Sequence, residues 1–188
     1  YVVKFAVDVT FVDLENLDEW KNAIRPNTRL LFIETPSNPL AQVGDMQAIA
    51  DIAHAHGALF AVDNTFCTPV LQQPIKFGAD LIVYSSTKYI DGQGRALGGA
   101  VVGKNQLVEE INSVIRTLGN SMSPFNAWIF LKGLETLSLR MKAHCESAQK
   151  LAEWLDAHPK VEQVYYAGLP HHAGQKKKKK QQSGFGGV

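Results

Sequence analysis

A chain of 188 residues is long enough to bury a sizeable core as a single domain. Its 45% apolar and 20% charged residues are those of an ordinary globular protein, and a net charge of +1 argues against a nucleic-acid or membrane-surface partner. No apolar run approaches the roughly 18 residues of a membrane span. Two cysteines, Cys67 and Cys145, suit neither a disulfide framework nor a zinc site, and read as reduced thiols in a cytoplasmic protein. The opening Tyr1-Val2-Val3-Lys4 has no methionine and no leader pattern, so the chain is expected to be the middle of something longer.

Apolar β-rich runs alternate with helical patterns along the chain. Residues 5–9 read as a short strand and 17–25 as a short helix. The continuous apolar run 30–33 predicts a strand buried on both faces. Met46, Ile49, Ala50 and Ala53 form a helical stripe over 46–55, which Gly57 stops. Residues 59–62 form the next strand, 74–78 a short helix and 81–84 a further strand. A strand over 97–102 and a helix over 106–116 follow. Residues 123–157 read as long helical structure, with Ser123 as cap and Pro124 in first position. A β segment is expected over 161–166, a solvated, mobile stretch over the five lysines 176–180, and the start of another β-like run over 184–188. Strand–helix–strand alternation with buried-type strands implies an α/β, mostly parallel sheet flanked by helices.

In such a sheet, ligands bind beyond the carboxyl ends of the strands. Three successive predicted strands end in polar, turn-forming residues: Glu34-Thr35-Pro36-Ser37-Asn38-Pro39, then Asp63-Asn64-Thr65, then Ser85-Ser86-Thr87-Lys88. If the strands are parallel neighbours, an acid, hydroxyls, amides and one lysine converge in one crevice. Pyridoxal phosphate asks for such a set. Its aldehyde requires an amine, its ring nitrogen a carboxylate, and its phosphate hydroxyl and N–H donors. Lys88 supplies the amine, as a Schiff base, and Asp63 is the candidate partner of the ring nitrogen. Ser85 and Thr87 are candidate phosphate donors. Asn38, in a rigid Pro-x-x-Pro turn, is a candidate for the ring oxygen. Each element alone also reads blandly: Lys88 as a surface lysine, Asp63-Asn64 and the Pro-Ser-Asn-Pro run as ordinary turns. His54 and His56, two apart on a helix, face different ways and do not suggest a shared metal. Trp20, Trp128 and Trp154 sit in helical patterns and read as packing residues.

At these residues the sequence resembles the pyridoxal-phosphate-dependent enzymes of Cys/Met metabolism. The likeness is carried by Glu34 to Pro39, Val62-Asp63-Asn64-Thr65-Phe66, Gly78-Ala79-Asp80, Ser85-Ser86-Thr87-Lys88-Tyr89-Ile90, Ser123 to Trp128 and Lys132 to Leu137. It spans essentially the whole chain. The resemblance implies the large, aminotransferase-like domain of fold type I over residues 1–158, with its N-terminal part missing. Residues 159–188 would begin a small C-terminal domain. It implies Lys88 as the Schiff-base lysine, Asp63 at the ring nitrogen, Ser85 and Thr87 at the phosphate, Asn38 near the ring hydroxyl and Thr65 against the ring. The long helix with Arg140 would be scaffold. It further implies an amino-acid substrate with sulfide, and a homotetramer built from dimers.

Three departures refine this likeness. Many family members follow the lysine with a Gly-His-Ser-Asp turn, where this chain has Asp91-Gly92-Gln93-Gly94-Arg95. That variant resembles the O-succinylhomoserine sulfhydrylase branch, which makes homocysteine by γ-replacement. A cystathionine γ-synthase, or a lyase that eliminates instead, is the alternative; Gln93 to Arg95 also reads as a plain solvent turn. The lysine run 176–180 replaces a helical stretch of mixed composition, and its self-repulsion argues against local helix. Finally, the family's cofactor-stacking tyrosine, glycine-rich phosphate turn and substrate-carboxylate arginine have no counterpart here. The 188 residues alone are therefore expected to be inactive.

Overall fold

A computed structural model of the chain describes residues 5–188. Helix α1 (Leu17–Ala23) is followed by strand β1 (Leu30–Glu34), helix α2 (Met46–Ala55), strand β2 (Leu59–Asp63) and the one-turn helix α3 (Thr68–Leu71). A 3₁₀ turn over Pro74–Phe77 leads into β3 (Leu81–Ser85) and β4 (Gly99–Gly103). Helices α4 (Asn105–Leu118), α5 (Pro124–Asp156) and α6 (Gln175–Gln181) complete the described elements. The sheet order is β1-β2-β3-β4. The first three strands are parallel and β4 runs antiparallel to β3. The expected α/β architecture with a mostly parallel sheet is thus present.

The helices begin where the sequence provides acceptors for their free N–H groups. Asn16 caps α1 through the N–H groups of Asp18 and Glu19, Asp45 caps α2 through Ala48, and Ser123 caps α5 through Asn126. Helix α2 buries the stripe read from the sequence, Met46, Ile49, Ala50 and Ala53. These pack with Leu31, Ile33, Phe60, Val62, Ile82 and Tyr84, which share one face of the sheet. Phe60 is fully buried, a contribution of about 1.5–3 kcal/mol relative to leaving it exposed.

Several expectations are corrected. Strand β1 is buried on one face only, since Leu30 and Phe32 are each 49% exposed. It is an edge strand whose second face carries no packed helix among the described residues, so its apolar run does not mean two-sided burial. Residues 5–9 and 161–166 form no strand. A lone strand leaves its N–H and C=O groups unpaired, and neither segment meets a sheet edge. Phe5 stands 80% exposed instead, while Tyr166 packs with Ala152 and Leu169. Residues 184–188 also form no strand; one isolated bridge joins Gln182 to Gln72.

The lysine run is helical, as the middle of α6. Lysine has good intrinsic helix propensity, and the run is tied down at its end. Gln181 accepts from the Met46 N–H at 2.9 Å and donates to the Gly44 carbonyl at 3.0 Å, while Lys177 pairs with Glu15 at 3.0 Å. Those anchors outweigh the self-repulsion. Trp20 packs in the core as expected. Trp128 and Trp154 do not, being 55% and 60% exposed, because a 33-residue helix has more apolar surface than its neighbours cover.

Candidate active site

Because β1, β2 and β3 run parallel, their carboxyl ends lie along one edge of the sheet. Glu34 stands opposite Asp63 in register, and Asp63 opposite Val83. Residues paired this way project to the same face and side chains alternate along a strand. Glu34, Asp63 and Ser85 therefore stand together on the face turned away from α2.

The loop after β2 straps this edge together. Asp63 Oδ1 accepts the Thr65 N–H at 2.9 Å, and Thr65 Oγ1 accepts the Ser85 N–H at 2.8 Å. Behind it, the fully buried Asn64 donates to the carbonyls of Thr68 and Gln72 at 3.1 and 2.9 Å and to the Tyr84 hydroxyl at 3.1 Å. Gln72 returns a bond to Asn64 Oδ1 at 2.8 Å and another to the Thr35 carbonyl at 2.9 Å. Every partner in that buried amide pair is satisfied, which holds the Asp63 loop rigid from below. Thr68 takes a left-handed backbone (φ 57°) where this loop turns into α3. A β-branched residue adopts that conformation only when its surroundings impose it.

After β1, the chain folds back on itself through Ser37 and Ala41, whose N–H groups reach Gln42 and Ser37 carbonyls at 2.9 Å. The Asn38 N–H donates to Glu34 Oε2 at 3.4 Å, and the Asn38 side chain is exposed. Glu34 was not singled out from the sequence. Its position as the last residue of a strand, level with the acid ending the next, is the signal that identifies it. Burial raises its pKa above the usual carboxylate value; the Asn38 N–H opposes this, and the Asp63 carboxylate adds to the rise.

After β3, the Lys88 N–H donates to the Ser85 carbonyl at 3.1 Å, and the Lys88 carbonyl accepts the Gly92 N–H at 2.8 Å. The Lys88 side chain is exposed. Thr87 is bound to Gly98 on the approach to β4, accepting its N–H at 3.0 Å and donating its hydroxyl to the carbonyl at 3.3 Å. As the structure stands, the single hydroxyl proton of Thr87 is committed there. Asp91 is fully buried. Burial would raise its pKa, but the Arg95 backbone N–H at 2.6 Å and the Arg95 guanidinium at 2.8 Å hold it below the usual value.

Asp63, Thr65 and Ser85 are thus joined by direct hydrogen bonds, with Thr87 and Lys88 on the turn that follows. Among the described residues, Asn38 is linked to the group through Glu34. In kind, the donor set matches what pyridoxal phosphate needs: one amine, one carboxylate on the same sheet edge, and hydroxyl and N–H donors between them.

Residues 1–188 match the family of Cys/Met metabolism PLP-dependent enzymes. The chain belongs to this family. It is 56% identical over 188 residues to the O-succinylhomoserine sulfhydrylase of Pseudomonas aeruginosa, covering 100% of this chain and 47% of that one. It is 42% identical over 190 residues to the L-methionine gamma-lyase of Fusobacterium nucleatum subsp. polymorphum, covering 100% of this chain and 48% of that one. Among solved structures, cystathionine gamma-lyase from Lactobacillus plantarum complexed with L-serine superimposes with a TM-score of 0.96 at 36% identity, covering 99% of this chain and 49% of that one. The chain spans about half the length of the curated relatives it matches. Membership makes pyridoxal phosphate the cofactor of this Cys/Met metabolism enzyme, and its fold that of fold type I.

Proposed function

We propose that the protein containing this chain is an O-succinylhomoserine sulfhydrylase, which converts O-succinylhomoserine and sulfide into homocysteine and succinate. The observation carrying this reading is 56% identity over all 188 residues of this chain to a relative of that name, of which it covers 47%. The Asp91-Gly92-Gln93-Gly94-Arg95 turn after the lysine, where Asp91 and Arg95 pair, agrees with it.

In this reading Lys88 holds the cofactor through its Nζ. Pyridoxal phosphate, when bound, supplies an electron sink for negative charge at the substrate Cα. With cofactor and amino acid bound, the Lys88 amine would take the Cα proton and return it, as base and then acid. The Asp63 carboxylate holds the proton on the ring nitrogen, and Thr65, donating its N–H to Asp63 Oδ1, keeps that carboxylate in place. Thr65 would also lie against the ring. Ser85 and Thr87 hold the phosphate, Thr87 by exchanging its 3.3 Å bond to Gly98 for a stronger, charge-assisted one. Asn38 would reach the ring oxygen. Succinate leaves from Cγ and sulfide takes its place.

The L-methionine gamma-lyase relatives at 42 and 43% identity favour a second reading, elimination without sulfide. Product analysis separates the two. With O-succinylhomoserine, sulfide-dependent homocysteine supports replacement; an oxo acid and ammonia formed equally with or without sulfide would overturn it. Borohydride reduction in the presence of pyridoxal phosphate, followed by peptide mass mapping, should place the adduct on Lys88. An undiminished adduct in Lys88→Ala would sink the lysine assignment.

A further inference from the structure

Arg140 lies mid-way along α5, and its guanidinium bridges that helix to the turn that follows Lys88. Nη1 donates to the Tyr89 carbonyl at 2.7 Å, and Nη2 to the carbonyls of Ile90 and Gly133 at 3.2 and 2.7 Å. Nε is aimed by Thr136 Oγ1 at 3.1 Å. All four acceptors are neutral. The nearby carboxylate of Asp91 is bonded to Arg95 instead. A planar fork of donors suits this task, since it fixes direction as well as distance.

The helix is built to come this close. A Cβ at Gly133 would sit 2.0 Å from the Ile90 carbonyl oxygen, so only glycine lets α5 approach the turn there. A Cβ at Gly92 would sit 2.3 Å from Arg140 Nη1, and Gly92 also has a left-handed backbone (φ 76°). The Gly92 N–H is the one that closes the turn on the Lys88 carbonyl. The residues one, two and four positions after Lys88 are therefore all held against Arg140. Outside this grip the Lys88 side chain is exposed, so its aim depends on how firmly its backbone is held.

We propose that Arg140 is a positioning residue for Lys88, gripping the Tyr89 and Ile90 carbonyls so that the amine is presented in one direction. This rests on the reading of Lys88 as the cofactor-bearing lysine. Functional groups lose effect when supporting contacts leave them about 1 Å loose.

The test uses the protein as encoded, with pyridoxal phosphate titrated and the adduct trapped by borohydride on Lys88. Arg140→Met should raise the cofactor concentration for half-maximal trapping about tenfold, and Arg140→Lys, keeping charge but losing the fork, by less. Thr136→Val removes the bond that aims the guanidinium, together with a long 3.5 Å bond to the Gly133 carbonyl, and should raise it about twofold; it decides the matter if Arg140→Met does not fold. Ile49→Ala, in the core on the far sheet face, should lower thermal stability and leave trapping unchanged. The pH midpoint of the cofactor's visible absorption should move in the Arg140 variants and not in Ile49→Ala. Trapping like wild type in both Arg140→Lys and Thr136→Val would overturn the proposal, as would an equal loss in Ile49→Ala. Absence of the adduct on Lys88 in the wild type would instead overturn the lysine assignment, and the positioning role with it.

Discussion

Asp80 precedes β3, at the end of that strand opposite Lys88, and shows what a buried carboxylate does away from the candidate site. Its Oδ2 accepts the Phe60 N–H at 2.9 Å and the His54 Nε2 at 2.8 Å, and Lys104 Nζ lies 3.4 Å from Oδ1. Burial would raise its pKa, but the Phe60 N–H, His54 and Lys104 together bring it below the usual value. A carboxyl whose folded-state pKa is depressed lends stability above its unfolded pKa of about 3.9, and loses it as pH falls through the lower folded value. Acid titration followed by circular dichroism should show Asp80→Asn unfolding with a shallower pH dependence in that window. At neutral pH the same variant should be less stable by about 1.5–3 kcal/mol, the size of a hydrogen-bonded charge. Glu34 has the opposite sign. Its raised pKa means that ionisation above its unfolded value costs stability. Glu34→Gln in the cofactor-free protein is expected to raise the urea midpoint at pH 7, with the gain shrinking toward acid pH. The residue types at these positions were readable from the sequence, and Asp63, Ser85 and Lys88 were singled out as candidates by that means. Glu34 and Arg140 were not, because their significance lies in partners 29 and 50 positions distant, which no local pattern reveals.

At the scale of elements, α2 and the β2 and β3 strands follow their patterns to within a residue, since periodicity and burial agree there. The failures fall where an element needs a neighbour. The β-like runs over 5–9 and 161–166 had the composition of strands without a sheet edge to join. Helix α6 had a composition against it and a docking site in its favour. Helix α5 depends on a close approach to the lysine turn, and Gly133→Ala is expected to cost about 1–3 kcal/mol by overpacking against the Ile90 carbonyl. Urea unfolding would measure it. Ser123→Ala, removing the acceptor for the Asn126 N–H, should cost about 1 kcal/mol by the same measurement.

Across the whole molecule, the segment after α5 returns to the sheet domain. Gln181 fills the space at the start of α2, and Ser183 donates its N–H to the Leu71 carbonyl at 2.8 Å. Gln181→Ala leaves the buried Met46 N–H and Gly44 carbonyl unpaired, at about 1–3 kcal/mol. Hydrogen exchange over 175–183 should quicken in that variant more than in β2; uniform change would argue that the segment is not separately anchored. By itself the sequence determined the α/β class and the three polar strand ends, the last of them carrying Lys88, because side-chain periodicity and turn chemistry are local properties. Only the tertiary structure decided that β1, β2 and β3 are adjacent and parallel, which puts Asp63, Thr65 and Ser85 in contact. It also decided that a distant arginine grips the turn behind Lys88. Both depend on strand order and helix packing, which arise from burial shared between segments far apart in the chain.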